Sequence, residues 1–337
     1  MTEYKPIFLK ENQIGALRKK YPNIIEVDAF SRQIKELFLI KKIKHKEDDF
    51  VYVFYPWNYH LVKTIKAQDY FKLKTNRNQD LITHTEQIKL AGCRVAVLGM
   101  SVGSNIAFVL TQAGISNEIT VADFDGLDTT NLNRIFAGVH QIGLNKTIIA
   151  ARHIYEDNPF AKVNLLEKGV NEKILEKLLK EKKLDIIIEE IDDMAMKIKI
   201  RVLARKYKIP VIMITDNGDG VVLHVERYDL GHKKIFGKDQ FYWNKILSEK
   251  MTKDRAGMII MNDIVGGPDR VDKKMLFSVG RVLKGELVSW SQLGSAAMLG
   301  GVVATVFLKR IILNENSQKD IRYYFNIPNG QLQNHEE

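Results

Sequence analysis

Between Arg94 and Thr215 the chain alternates two hydrophobic rhythms. Short, nearly unbroken apolar runs ("RVAVLG", "EITVADFD", "LDIIIEEID", "IPVIMIT") are separated by segments whose apolar residues recur at helical spacing. These are "NIAFVLTQAG", "NKTIIAARHIYEDNP", "NEKILEKLLKEKK" and "MAMKIKIRVLARKYK", with a weaker strand signal at "KVNLLEKG". The first rhythm suits strands buried on both faces, the second amphipathic helices. Strands and helices in alternation require a parallel sheet covered on both sides. The expected class is therefore α/β, with a doubly wound, mainly parallel sheet.

The flanks are less regular. "ELFLIKKIK" and "DFVYVFYP" carry strand-like β-branched and aromatic content, with a turn at "HKEDD" between them. They are expected to belong to a small N-terminal α+β accessory segment, residues 1–66, ahead of a main domain over 67–330. "LGSAAMLGGVVATVFL", Leu293–Leu308, is apolar throughout but falls short of the roughly 20 residues of a membrane span. Its glycines and alanines suit close packing, so a buried or subunit-interface helix is expected. Within "NGQLQNHEE", residues 331–337 read as a disordered tail.

Composition narrows the function classes. Hydrophobic residues at 45% and charged residues at 27% are ordinary for a soluble domain. The net charge of +10 is spread along helices such as "KILEKLLKEKKL", as on a solvated face, so neither nucleic acid nor membrane is an expected partner. One cysteine, Cys93, excludes a disulfide framework and a cysteine-based zinc site. With no signal-peptide core in "MTEYKPIFLKENQ", a cytoplasmic location is expected.

In a doubly wound sheet, ligands bind beyond the C-terminal ends of the strands. Four polar segments fall there: "GMSVGS", "DFDGLDTTNLNR", "EEIDDM" and "TDNGDG". The first, with Gly99 and Gly103, is a strand-to-helix turn able to aim backbone N–H groups at a phosphate. It is one residue short, and Ser101 and Ser104 stand where more glycine is usual. Asp123 follows Gly103 by 20 positions, where a carboxylate accepts hydrogen bonds from ribose hydroxyls. A dehydrogenase shares these features. Arg134 and Lys146 suit a triphosphate instead, and the acids of "EEIDDM" suit its Mg²⁺. Each has a purely structural alternative: Arg134 as a partner of Asp128, Lys146 as decoration of a helix start, Asp192 as a helix cap.

Together these motifs resemble the ThiF/MoeB family, the adenylating superfamily of the ubiquitin-activating enzymes, from about Arg77 to Arg310. In that family a "DFD…NL(N/Q)R" loop, a following lysine and an acid-rich "DxxDN"-type turn bind Mg·ATP. The likeness implies a Rossmann-like sheet and a nucleotide site containing Gly99, Gly103, Asp123, Asp125 and Asn131. It assigns Asp123 to the ribose, Asn131 and Arg134 to the phosphates, Lys146 to the triphosphate and Asp192 to magnesium. Arg134, Lys146 and Asp192 are then the catalytic set. Arg77, in "TNRNQ", matches an arginine that family dimers extend to the partner's nucleotide, which implies a homodimer. "YPWNYHLVK", "GMSVGS", "EEIDD" and "HVERYD" are similar to a bacterial ThiF-like subgroup sometimes fused to a nitroreductase-like domain, a domain not expected in this chain.

Departures from the family pattern shape the expected reaction. The paired CxxC motifs of ThiF and MoeB are missing, so no zinc is expected. Cys93 precedes the first strand of the sheet, away from the ligand side, and reads as a core residue rather than a nucleophile. Ile135 replaces the glutamine common after the family arginine. The resemblance implies ATP-dependent activation of a carboxylate as an acyl-adenylate with release of pyrophosphate. The carboxylate would be the C-terminus or an acidic side chain of a peptide or ubiquitin-like protein. One rival is a non-catalytic ThiF-like binding protein. Another is an NAD-dependent oxidoreductase, which would leave Arg134, Lys146 and Asp192 without a task. The acyl substrate would be read by the N-terminal segment and residues 216–290, where the sequence is uninformative.

Overall fold

The computed structural model describes residues 3–41, 49–315 and 317–327. Its first sheet has four strands, β1 (Ile7–Leu9), β2 (Ile25–Asp28), β3 (Phe50–Tyr55) and β4 (His60–Ile65), in the order β1-β3-β4-β2. Helices α1 (Glu11–Lys20) and α2 (Phe30–Lys41) accompany it. The strand expected at "ELFLIKKIK" is corrected here: its described part closes α2. Phe30, Ile34 and Leu37 recur at helical spacing and pack around Ile65, while Asp28 accepts from Ser31 N (3.0 Å) at the helix start. A buried helical stripe has the same apolar content as a strand, and the cap decides between them. The turn at "HKEDD" lies, apart from Asp49, outside the described residues, as does the expected tail.

The second sheet carries the site. Strands β5 (Arg94–Leu98), β6 (Glu118–Ala122), β7 (Lys162–Leu166), β8 (Ile186–Glu189) and β9 (Val211–Asn217) are parallel and ordered β7-β6-β5-β8-β9. β10 (Gly220–Glu226) returns antiparallel to β9, and β11 (Asp320–Phe325) pairs antiparallel with β10. Helices α3 (Ala67–Lys74) and α4 (His84–Ala91) lead in. Then α5 (Val102–Gln112), α6 (Lys146–Asp157), α7 (Glu172–Lys180) and α8 (Met194–Tyr207) follow β5 to β8 in turn. Alternate strand residues divide the core: Val95, Val97, Ile186 and Ile188 pack with Ile106, Leu110 and Ile154 on one face. Ala96, Leu98 and Ile187 pack with Leu175, Leu179, Ile200 and Leu203 on the other. The chain runs one way from β5 to β6 and the other way to β8, and that switch point opens a crevice at the strand ends.

Helices α9 (Gln240–Ser248) and α10 (Lys253–Ile259), a π-helical turn (Ile260–Val265) and α11 (Lys273–Leu283) precede α12 (Gly294–Ile312). α12 is long and apolar enough to cross a membrane by length and composition, yet it packs on α5, β9 and β10. A Cβ at Gly301 would stand 3.0 Å from the Asn105 carbonyl oxygen, so glycine sets that close helix approach. The N-terminal sheet docks on the end of α6. Trp57 Nε1 and Asn58 Nδ2 donate to Glu156 Oε1 (2.5 and 3.1 Å), and Arg152 donates to the Glu3 carbonyl (3.0 and 2.9 Å).

Candidate active site

Gly99 ends β5 with φ of +97°, and a Cβ there would lie 2.4 Å from the carbonyl oxygen of Glu190, just past β8. Only glycine lets the two strand ends approach this closely. α5 then begins at Val102 with no side chain capping its first turn, which leaves the positive end of the helix for a ligand. Gly103 serves packing instead: a Cβ there would meet Val97 Cγ1 at 2.8 Å.

The loop after β6 is tied to that turn through Asp123. One of its oxygens accepts from Met100 N (2.7 Å), the other from Asp125 N (2.8 Å). Asn131 closes a short 3₁₀ turn and accepts from Asp128 N (3.0 Å). Arg134 reaches back across the crevice. Its Nε donates to Ser101 Oγ (2.9 Å) and its Nη1 to Thr130 O and Asn133 Oδ1 (3.1 and 2.9 Å). Every partner is neutral, and among the described residues Arg134 forms no ion pair, with Asp128 or any other acid. Burial lowers its pKa from the usual arginine value, opposed by Asp216 and Asp192. A half-desolvated guanidinium with neutral partners is ready for an anion. Lys146 opens α6, where Asn145 caps by accepting from Thr147 N (2.9 Å). The Lys146 ammonium is buried and donates to Asp125 Oδ2 (2.9 Å), so Asp125 positions the lysine.

The four acids of "EEIDD" separate into distinct tasks. Glu189 is fully buried and binds Lys197 (3.0 Å) and Arg201 (2.7 Å), which in turn binds Glu226 (2.6 Å). Glu226 also accepts from Tyr228 OH (3.0 Å) and Phe236 N (2.9 Å), so "HVERYD" belongs to this buried network. Glu190 accepts from Ile214 N (2.8 Å), and burial pushes its carboxyl well above the ordinary range. Asp193 caps α8, accepting from Met196 N (2.6 Å). That leaves Asp192 exposed, with no hydrogen bond or ion pair among the described residues.

One cleft of about 1290 Å³ is lined by Gly99, Asp123, Asp125, Asn131, Arg134, Lys146 and Asp192. Two expected residues stand outside it: Gly103, beneath the turn, and Arg77, exposed on a 3₁₀ turn (Asn76–Asn78). The cleft also has residues with no role assigned from sequence, among them Lys197, Asp216, Trp290 and Gln292. Asp216 sits at the end of β9 in "TDNGDG". Its place after a strand was a signal, but nothing local singled it out from Asp219. Trp290 and Gln292 come from an irregular stretch with no periodicity to read.

The family model for ThiF covers residues 73–337. The chain belongs to the ThiF family. An uncharacterized protein, MT1398, of Mycobacterium tuberculosis (strain CDC 1551 / Oshkosh) is 35% identical over 212 residues, 62% of this chain and 29% of that protein. Ubiquitin-like modifier-activating enzyme 5 of Bombyx mori is 33% identical over 98 residues, 29% of this chain and 24% of that enzyme. The ThiF-family chain thus matches less than a third of the length of either relative. Among solved structures, E. coli MccB with ATP aligns with a TM-score of 0.51 at 15% identity, covering 75% of this chain and 65% of that one. E. coli TcdA, a tRNA N6-threonylcarbamoyladenosine dehydratase, aligns at 0.52 and 17% identity, covering 74% and 98%. Likeness at that identity shows a shared fold.

Proposed function

We propose that this ThiF-family protein is an ATP-dependent adenylyltransferase that activates a carboxylate of a peptide or ubiquitin-like protein. The observation that carries the reading is the joint presence of Asp123, Arg134, Lys146 and an unengaged Asp192 in one cleft at the switch point. These residues fit a nucleoside triphosphate, since Arg134 has only neutral partners and the α5 N-terminus has no side-chain cap. Among the acids that line the cleft, this reading gives Mg²⁺ to Asp192, the one in "EEIDD" that is exposed and unengaged. No cluster of three or more His, Cys, Asp or Glu exists among the described residues, so phosphate and water oxygens would complete the shell. The ion, held there, would neutralise phosphate charge.

In this reading Asp123 accepts from the ribose, Asn131 and Arg134 hold phosphates, and Lys146 faces the triphosphate. The substrate carboxylate is already ionised at neutral pH and needs no base. It attacks the α-phosphorus, an acyl-adenylate forms and pyrophosphate leaves, so the protein's task is positioning and charge neutralisation. Transfer then goes to an external acceptor. Cys93 is buried, and burial pushes its thiol up to about 12, which opposes an enzyme-bound thioester. The retained fold of E. coli MccB, crystallised with ATP and with MccA-N7isoASN, supports the reading. A cytoplasmic homodimer with Arg77 acting across the interface completes it. Thermal unfolding tests the nucleotide: Mg·ATP is expected to raise the midpoint and NAD to leave it unchanged. A larger rise with NAD would transfer the cleft to the oxidoreductase reading.

A further inference from the structure

The adenylation step leaves one half-buried acid of the cleft without a task. Asp216, at the end of β9, lines the cleft with Arg134, Asp192 and Glu190. One of its oxygens receives only a long contact from Gln292 Nε2 (3.4 Å). The other, Oδ1, is shut off from water and has no hydrogen-bond partner among the described residues. No ammonium or guanidinium within the described chain pairs with it, although Arg134 is near enough to favour its charged form. A carboxylate in such a place is costly unless a cation or a proton joins it. Its neighbours are set otherwise: Glu190 is engaged with Ile214 N, and Asp192 faces solvent.

We infer that Asp216 binds the amine that accepts the activated acyl group, so that the acceptor is a primary amine and the product an amide. This rests on the adenylation reading and extends it to the second half-reaction. A carboxylate only accepts hydrogen bonds. It therefore selects an ammonium donor, whereas a thiol acceptor would call for a cation beside it. The cleft thereby has two ends of opposite character, Arg134 and Lys146 for phosphates and Asp216 for the amine. The amine arrives as an ammonium and loses one proton to solvent. Its lone pair then forms the C–N bond to the acyl carbon. The C–O bond to phosphate breaks with its electron pair leaving on AMP, and the second N–H proton passes to Asp216 and on to water. Burial raises the Asp216 carboxyl to about 6, opposed by Arg134, which suits a group that takes up and releases a proton near neutral pH.

Binding is the cleanest test, with glycinamide as the primary-ammonium probe and acetamide as its uncharged control. Thermal unfolding at neutral pH is followed for the wild type, Asp216→Asn, and Asp219→Asn, an acid outside the cleft. Glycinamide is expected to raise the midpoint of the wild type and of Asp219→Asn in a saturable way. It should leave Asp216→Asn unmoved, and acetamide should do nothing to any of them. A shift retained by Asp216→Asn, or absent from the wild type, overturns the inference. So does a shift with magnesium chloride alone that Asp216→Asn loses, because Asp216 would then be a metal ligand. A Mg·ATP shift measured beside these keeps the two readings apart. If it is present while glycinamide fails, only the acceptor assignment falls; if it is absent while glycinamide binds, the adenylation reading falls.

Discussion

Asp216 shows how one half-buried side chain turns position into a pH-dependent property. Its pKa rises from 3.8 unfolded to about 6 in the fold, so the folded state binds the proton more tightly. The stabilising contribution is complete below about pH 4 and is lost as pH climbs through about 6, which leaves a charged, poorly partnered carboxylate at neutral pH. Asp216→Asn is expected to stabilise the protein by about 1–3 kcal/mol at pH 7, with the gain fading between pH 6 and 4, in denaturant unfolding across that range. A variant less stable than wild type at pH 7 would mean that the carboxylate has a partner. The acids of "EEIDD" make the complementary point about legibility. Sequence placed all four at a strand end, but which one caps, which pairs and which stays free depends on sub-ångström geometry at the start of α8. Asp193 took the capping role, and that is why Asp192 is available.

At the scale of elements, the alternation of strand and helix from β5 to β9 was legible because each run buries a continuous face. α2 was misread as a strand because local apolar content does not distinguish the two periods over so few residues. The segment from α9 to α11 carried no usable signal. Its residues contribute Trp243 and Ile264 to a satellite core under the cleft, beside Met194 and Phe236. The element most tied to the site's shape is α8, whose Arg201 crosses beneath β8 to join Glu189 and Glu226, all fully buried. Removing the shared cation takes the ion-pair partner from Glu226 and leaves Glu189 with Lys197 alone, so Arg201→Met is expected to cost about 3–5 kcal/mol in chemical denaturation. A cost under about 1 kcal/mol would show that the surrounding packing, rather than the network, holds α8 on the sheet.

At the scale of the whole molecule, the site residues gather because loops after β5, β6, β8 and β9 converge at one edge of the sheet, far apart in sequence as they are. Arg77 lies outside the cleft of its own chain, so its proposed role depends on a second copy. α12 buries its inner face on α5 and β9 but leaves Met298, Val302 and Val306 exposed as a stripe at i, i+4 and i+8. Such an apolar stripe suits a subunit interface. Sedimentation at micromolar concentration is expected to give a dimer, broken by Val302→Glu. A wild-type monomer would remove Arg77 from the mechanism without touching the cleft. The chemistry itself is tested most directly by exchange of labelled pyrophosphate into ATP, with a pool of synthetic peptides bearing free C-termini as carboxylate donors. Wild type and Cys93→Ala are expected to exchange alike. Arg134→Ala, Lys146→Ala and Asp192→Ala should each fall by about 10²–10³ in rate, with a smaller loss of ATP affinity. Wild-type exchange that all three substitutions leave intact would contradict the proposed roles, and ATP binding without any exchange would mark a binding protein rather than an enzyme.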